Sequence, residues 1–140
     1  MLHEIFKGMD NASEAINENF KDGSVVEDNL NVTDPANGYY VRFGNGLQIC
    51  WWDNLKLQYI STVSLERNWE FPVSFAEAPI VVPIAEGAVT ILDHRGLSPY
   101  TLDRTRDSVL VQISRVSGAT PFSSGDTRNT VVFALGRWKE

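Results

Sequence analysis

Cysteine is almost missing from this chain of 140 residues: Cys50 stands alone. A single thiol closes no intrachain disulfide, and with only two histidines no Cys/His spacing for a metal exists, so neither a metal nor a cofactor is expected. Long apolar runs are missing as well. None approaches the roughly 18 consecutive residues that a membrane helix needs, so no membrane insertion is expected. The opening MLHEIFKGMD has no basic stretch followed by an apolar one, which speaks against Sec-type export and for a soluble protein made in the cytoplasm. Positive charge is scarce: 12 Lys and Arg against 18 Asp and Glu leave a net charge of −6. Such a surface disfavours nucleic acid as the main partner, because phosphate backbones are held by cations. Internal repeats and low-complexity tracts are absent too.

What is present fits one domain with a modest core. The hydrophobic share is 43%, and 11% of the residues are aromatic. The chain divides near residue 35. In DNASEAINENF, Asp10 or Asn11 can cap a helix, Asn11 and Glu14 have capping-box spacing, and Ala12, Ala15, Ile16 and Phe20 form a narrow apolar stripe. So short a helix needs a partner, either the downstream domain or copies of itself. The narrow stripe favours self-association, with Ala12, Ile16 and Phe20 at the contact. Residues 23–36 read as an extended linker, with a short strand at Ser24–Val26.

From 37 to 140 the pattern is β. Gly38–Phe43 alternates, Gly44-Asn45-Gly46 supplies a hairpin turn, and Leu47–Trp52 alternates back. Leu55, Leu57 and Tyr59 continue the alternation, and WEFPVSFAEAP places prolines and aromatics at a strand edge or corner. Pro79–Ala85, Val89–Leu92, Ser108–Val116 and Thr130–Trp138 read as further strands. Short strands between frequent turns predict an antiparallel β-sandwich or barrel.

Two tryptophans side by side raise a question of faces. Alternation puts Leu47, Ile49 and Trp51 on one face and Gln48, Cys50 and Trp52 on the other. The first set is expected inside, leaving Trp52 outside. In the last strand Val131, Phe133 and Leu135 share one face while Val132, Ala134 and Trp138 share the other, so both faces are apolar. Such strands imply that the outer face is buried against another subunit, with Trp52 at the contact; cover by the chain's own loops is the alternative.

Two stretches carry a family resemblance. NGLQICWW followed by WEFPVSFAEAPIVVPIAE resembles the C-terminal domains of bacteriophage tail-fibre proteins, in which a strand ends in Trp after an Asn-Gly turn and a Phe-Pro-x-x-Phe…Pro segment follows. Trp69, Phe71, Pro72, Phe75 and Pro79 match that segment in order, and VVFALGRW matches the terminal strand; Trp52 departs from the pattern, which usually has Gly there. That domain is similar in turn to the H-type lectins, trimeric six-stranded sandwiches that bind sugars near subunit contacts. IFKGMDNASEAINENF, residues 5–20, resembles the N-terminal segment of siphophage baseplate receptor-binding proteins, a trimeric helical plug. The resemblance implies an N-terminal helix for trimerisation and attachment (1–22), a linker (23–36) and an H-type lectin-like sandwich head (37–140). It implies a homotrimer in the virion, assembled in the host cytoplasm, that contacts other baseplate or tail proteins and host cell-surface polysaccharide.

No catalytic constellation stands out. His94 beside Asp93 assigns no nucleophile, Cys50 has no cationic neighbours, and no pair of facing carboxyls is evident, so an enzyme is not expected. Polar loops are the better candidates. LDHRGLSPY offers Asp93, His94, Arg95 and Tyr100: carboxylate and guanidinium can fork onto vicinal hydroxyls, and an aromatic face can stack on a sugar ring. LDRTRDS (Leu102–Ser108) is a second charged turn, and GATPFSSGDTRN adds Asp126 and Arg128, where the lectin resemblance places the ligand. Solvated turns with local Asp–Arg pairs are the plainer alternative for each. The function expected is adhesion to a host saccharide; the alternatives are a purely structural tail component and, last, a polysaccharide depolymerase.

Overall fold

The structure, a computed structural model, describes residues 23–86, 97–115 and 120–140. The expected helix with Ala12, Ile16 and Phe20, the strand at Val89–Leu92, and the loop residues Asp93, His94 and Arg95 lie outside them. The described residues are mainly β and carry one antiparallel sheet of eight strands. In chain order these are β1 (Val25–Asp28), β2 (Tyr39–Phe43), β3 (Leu47–Ser61), β4 (Ser64–Glu70), β5 (Ile80–Ala85), β6 (Leu97–Leu102), β7 (Ser108–Arg115) and β8 (Thr127–Arg137). The path runs β1-β2-β3-β4-β7-β6, and β8 lies between β3 and β5.

The β2–β3 hairpin forms where the glycines permit it. Gly46 takes φ 98° and donates its N–H to the Phe43 carbonyl at 3.0 Å, while Asn45 Oδ1 accepts the Leu47 N–H at 3.1 Å. Strand β3 then runs long enough to change partners. On one edge it pairs with β2 through Gln48–Trp51 and later with β4 through Gln58–Ser61; on the other it pairs with β8 along most of its length. β1, within the segment expected as linker, pairs with β2.

An irregularity between Trp52 and Leu55 sets the faces of β3. Ahead of it the even positions turn inward, and Gln48 and Cys50 are fully buried; after it the odd positions do, and Leu55 and Leu57 are fully buried. A bulge inserts residues on one strand only and so reverses parity. The expectation of Leu47, Ile49 and Trp51 in the core is therefore corrected. These three are only partly covered, and Trp52 packs against the core from its rim. β8 agrees, with Thr130, Val132 and Ala134 buried and Phe133 and Leu135 exposed.

The core joins both halves of the sheet. Cys50, Leu55, Leu57, Val132 and Ala134 meet Leu65 and Trp69 of β4 and Val109, Val111 and Ile113 of β7, so the sheet curls around them. Phe71 and Phe75, from the strandless stretch before β5, complete it edge-to-face at 5.0 Å (Trp69–Phe71) and 5.1 Å (Phe71–Phe75). One polar group is enclosed with partners: Gln48 donates Nε2 to the Val73 carbonyl at 3.2 Å and accepts Arg42 Nε at 2.7 Å.

The other face of β2, β3, β8 and β5 stays apolar. Cross-strand register builds one rung from Tyr39, Trp51, Phe133 and Val82, and a second from Val41, Ile49, Leu135 and Ile80. The expected apolar outer face thus exists, but the odd-numbered residues of β3 and β8 make it.

Candidate ligand cleft

Between its β2 and β4 partners, one edge of β3 is open. The segment from Asn29 to Gly38 lies across that gap, and it is fastened from three sides. Asn29 donates Nδ2 to the Gly38 carbonyl at 3.1 Å and accepts the Tyr40 N–H on Oδ1 at 2.7 Å. The fully buried Trp69 donates its indole N–H to the Asn37 carbonyl at 2.9 Å, so a core side chain satisfies its polar handle by holding this loop. Gly38 takes φ 97°, and a Cβ there would lie 2.3 Å from the Trp51 carbonyl oxygen and 2.7 Å from Trp52 Cβ. Only glycine permits that approach.

On the opposite wall the bulge of β3 turns Asp53 and Asn54 to solvent, and Asn129 Nδ2 pins it by donating to the Asp53 carbonyl at 2.8 Å. Loop and bulge enclose an open cleft of about 560 Å³ lined by Asp34, Pro35, Ala36, Tyr39, Trp52, Asp53 and Asn54. Asp34 is held at φ 48°, a left-handed conformation that Asp tolerates better than most residues. The Tyr39 ring stacks on Trp51 with centroids 5.8 Å apart, and the Arg67 guanidinium lies 5.6 Å from the Trp52 ring centre. Two carboxylates, an amide, a phenol and an indole thus border one opening. They offer acceptors and donors for hydroxyl groups beside apolar ring surface.

Of the residues expected to bind saccharide, the described ones, Tyr100, Asp126 and Arg128, do not gather here. Tyr100 stands on β6, where its hydroxyl bonds Gln112 and, at 2.8 Å, Ser114, while Gln112 Nε2 donates to Glu66 at 3.1 Å. These side chains form a cross-strand polar network on β4, β7 and β6. Asp126 closes its own turn, accepting the Ser123 N–H on Oδ2 at 2.7 Å. Arg128 is half-buried on β8, and its Nε has no hydrogen-bond partner. Among the described residues no ion pair joins Asp126 to Arg128. Of the described residues among those singled out in the sequence, only Trp52 borders the cleft. Asp34, Tyr39, Asp53 and Asn54 were missed; the signal that could have found them is Asp53-Asn54 interrupting an otherwise regular strand, opposite the Asp34-Pro35 turn.

Cys50 is no alternative centre. Burial pushes its thiol up to about 12, so at neutral pH it is a small apolar core group. Among the described residues no cluster of His, Cys, Asp and Glu could hold a metal ion.

No family model matches the sequence, and no curated protein matches it. Solved structures do share the fold. The C-terminal residues 323–701 of the R1 pyocin fibre of P. aeruginosa align with a TM-score of 0.51 at 15% identity; the alignment covers 71% of this chain, which spans only 26% of that fragment. An N-truncated R1-type pyocin tail fibre aligns with a TM-score of 0.54 at 16% identity, over 88% of this chain and 94% of the other. The likeness is one of fold, and it agrees with the tail-fibre resemblance of the sequence.

Proposed function

We propose that the chain is a receptor-binding protein of a phage tail or tail-like particle, and that it attaches the particle to a host-surface saccharide through the cleft between Asp34 and Asp53. The observation that carries this reading is the cleft itself, with Trp52 and Tyr39 as ring surfaces and Asp34, Asp53 and Asn54 as hydroxyl partners, on a fold shared with pyocin tail fibres. Trp52 and Tyr39 can cover the C–H face of a sugar while the carboxylates accept its hydroxyls, in a shallow site with little affinity of its own. Three copies joined through residues 1–22 and the head would raise the avidity by orders of magnitude without any new contact. In this reading the head is an H-type lectin-like sandwich, and the N-terminal segment docks it to other tail or baseplate proteins in the virion.

Binding proceeds without turnover in this proposal. A panel of purified bacterial wall polysaccharides titrated against the protein, read by tryptophan fluorescence and calorimetry, tests it. Saturable binding lost in Asp53→Asn supports the reading, and binding unaffected by Asp34→Asn and Asp53→Asn together refutes the cleft. The presence of two aspartates on one cleft gives the depolymerase alternative a specific form. Release of reducing ends from a bound polysaccharide, abolished by either substitution, would replace adhesion by hydrolysis.

A further inference from the structure

Several carboxylates of the chain are engaged within it. Glu27 accepts the Tyr40 hydroxyl at 2.9 Å and the Arg42 guanidinium at 3.0 Å, Glu66 accepts Gln112 Nε2, and Asp107 accepts the Ser74 hydroxyl. Asp34 and Asp53 differ. Both are exposed on one opening, and among the described residues no hydrogen bond or ion pair takes up either carboxylate. Their backbones are nevertheless fixed, by the left-handed turn at Asp34 and by Asn129 Nδ2 on the Asp53 carbonyl. No Lys or Arg lines the opening with them, and the indole of Trp52 and the phenol of Tyr39 do. A second opening, of about 400 Å³ beside Ile80 and Leu135, also has two acids, Glu77 and Glu140. There Arg137 stands with them, and no aromatic ring takes part.

We infer that the sugar taken by the cleft between Asp34 and Asp53 carries a positive charge: it is an amino sugar with a free ammonium group. The inference rests on the saccharide-binding reading above and names the chemistry of the ligand. An ammonium brings three donors, and the two carboxylates with the Asn54 amide oxygen are acceptors for them. Such charge-assisted bonds are roughly twice as strong as neutral ones. The face of an indole attracts cations as well, and Trp52 already holds one: the Arg67 guanidinium lies 5.6 Å from its ring centre, from outside the lining of the cleft. Tyr39, stacked on Trp51, is a ring held in place for the C–H face of the pyranose that bears the ammonium. A phosphate or a uronate would bring its charge against both aspartates and against a net charge of −6, with no lining cation to offset it. A neutral sugar would meet the same acceptors with neutral donors only. N-acetylation turns the ammonium into an amide with a single N–H and removes the charge.

Glucosamine and N-acetylglucosamine oligomers of equal length, titrated into the full chain by calorimetry at low salt, provide the test. The free-amine oligomer should bind at least about tenfold more tightly than the acetylated one. Asp34→Asn/Asp53→Asn should abolish that preference. Glu77→Gln/Glu140→Gln removes the same charge from the other opening and should leave the preference intact. A preference that survives the first pair of substitutions, or falls equally with both pairs, overturns the inference, because net charge alone would then attract the oligomer. Trilysine binding as tightly as the glucosamine oligomer overturns the sugar as carrier of the ammonium. Equal binding of the two oligomers, lost in Asp34→Asn/Asp53→Asn, overturns the ammonium and leaves saccharide adhesion standing. Failure of both oligomers to bind overturns the ammonium too, and adhesion is then decided separately by the wall polysaccharides.

Discussion

Substituting alanine for Gly38 and for Gly125 makes a matched pair. Both glycines have positive φ, 97° and 94°, so each variant incurs the cost of placing a Cβ in that region, about 1–2 kcal/mol. Around Gly125 nothing lies within 4 Å of the new atom, and the conformational cost is the whole effect. Around Gly38 the new Cβ would meet the Trp51 carbonyl oxygen at 2.3 Å. That oxygen belongs to a paired strand and cannot swing aside, so the loop has to lift. Lifting it endangers the bond from Asn29 Nδ2 to the Gly38 carbonyl and the one from Trp69 Nε1 to the Asn37 carbonyl. Two such bonds contribute roughly 1–3 kcal/mol together, and more if the indole N–H is left buried without a partner. Gly38→Ala should therefore lose about 2–5 kcal/mol, and Gly125→Ala about 1–2. Urea unfolding followed by tryptophan fluorescence, at one protein concentration for all variants, measures the difference. Equal losses would refute the tight seating of the loop, and with it the near wall of the cleft.

Three further outcomes follow from the packing. Trp52→Ala should cost about 2–3 kcal/mol through lost core contact and should also weaken saccharide binding, while Trp51→Ala, on the outer face, should cost less and weaken binding less, through the lost stacking support of Tyr39; paired denaturation and titration curves check this. Gln48→Ala should destabilise by about 2 kcal/mol, because Arg42 Nε and the Val73 carbonyl lose their partner, a loss visible in thermal unfolding. The Cys50 thiol, raised from 9.0 to about 12, keeps its proton in the folded chain while the unfolded chain releases it at lower pH. Its contribution to stability is thus fully present below pH 9 and is lost as the pH rises toward 12. In Cys50→Ala the alkaline loss should be smaller, and native Cys50 should resist thiol reagents until the protein unfolds.

The hairpin at Gly44–Gly46 and the strands β7 and β8 were legible because they obey short-range rules: turn glycines and clean alternation. The faces of β3 were not, because Leu55, Leu57 and Tyr59 carry an odd-numbered inward parity that the bulge confines to the far side of Asp53-Asn54. β4 escaped notice because only Leu65 and Trp69 are inward apolar anchors, with Glu66, Arg67 and Asn68 between them. β6 was read within the polar loop LDHRGLSPY; among the described residues it pairs only with β7 and so sits at an edge, where the missing N–H of Pro99 costs little. The cleft was the least legible part. Its walls come from two separate segments, and Gly38, Asn29, Trp69 and Asn129 bring them together through contacts that no local pattern encodes.

Adhesion through this cleft is tested most directly by equilibrium binding of the labelled protein to host cells, comparing the native chain with Asp34→Asn/Asp53→Asn. Saturable binding that competes with extracted wall polysaccharide, and that falls at least about tenfold in the double variant, is the expected result. The double variant binding the cells as tightly as the native chain would contradict the account.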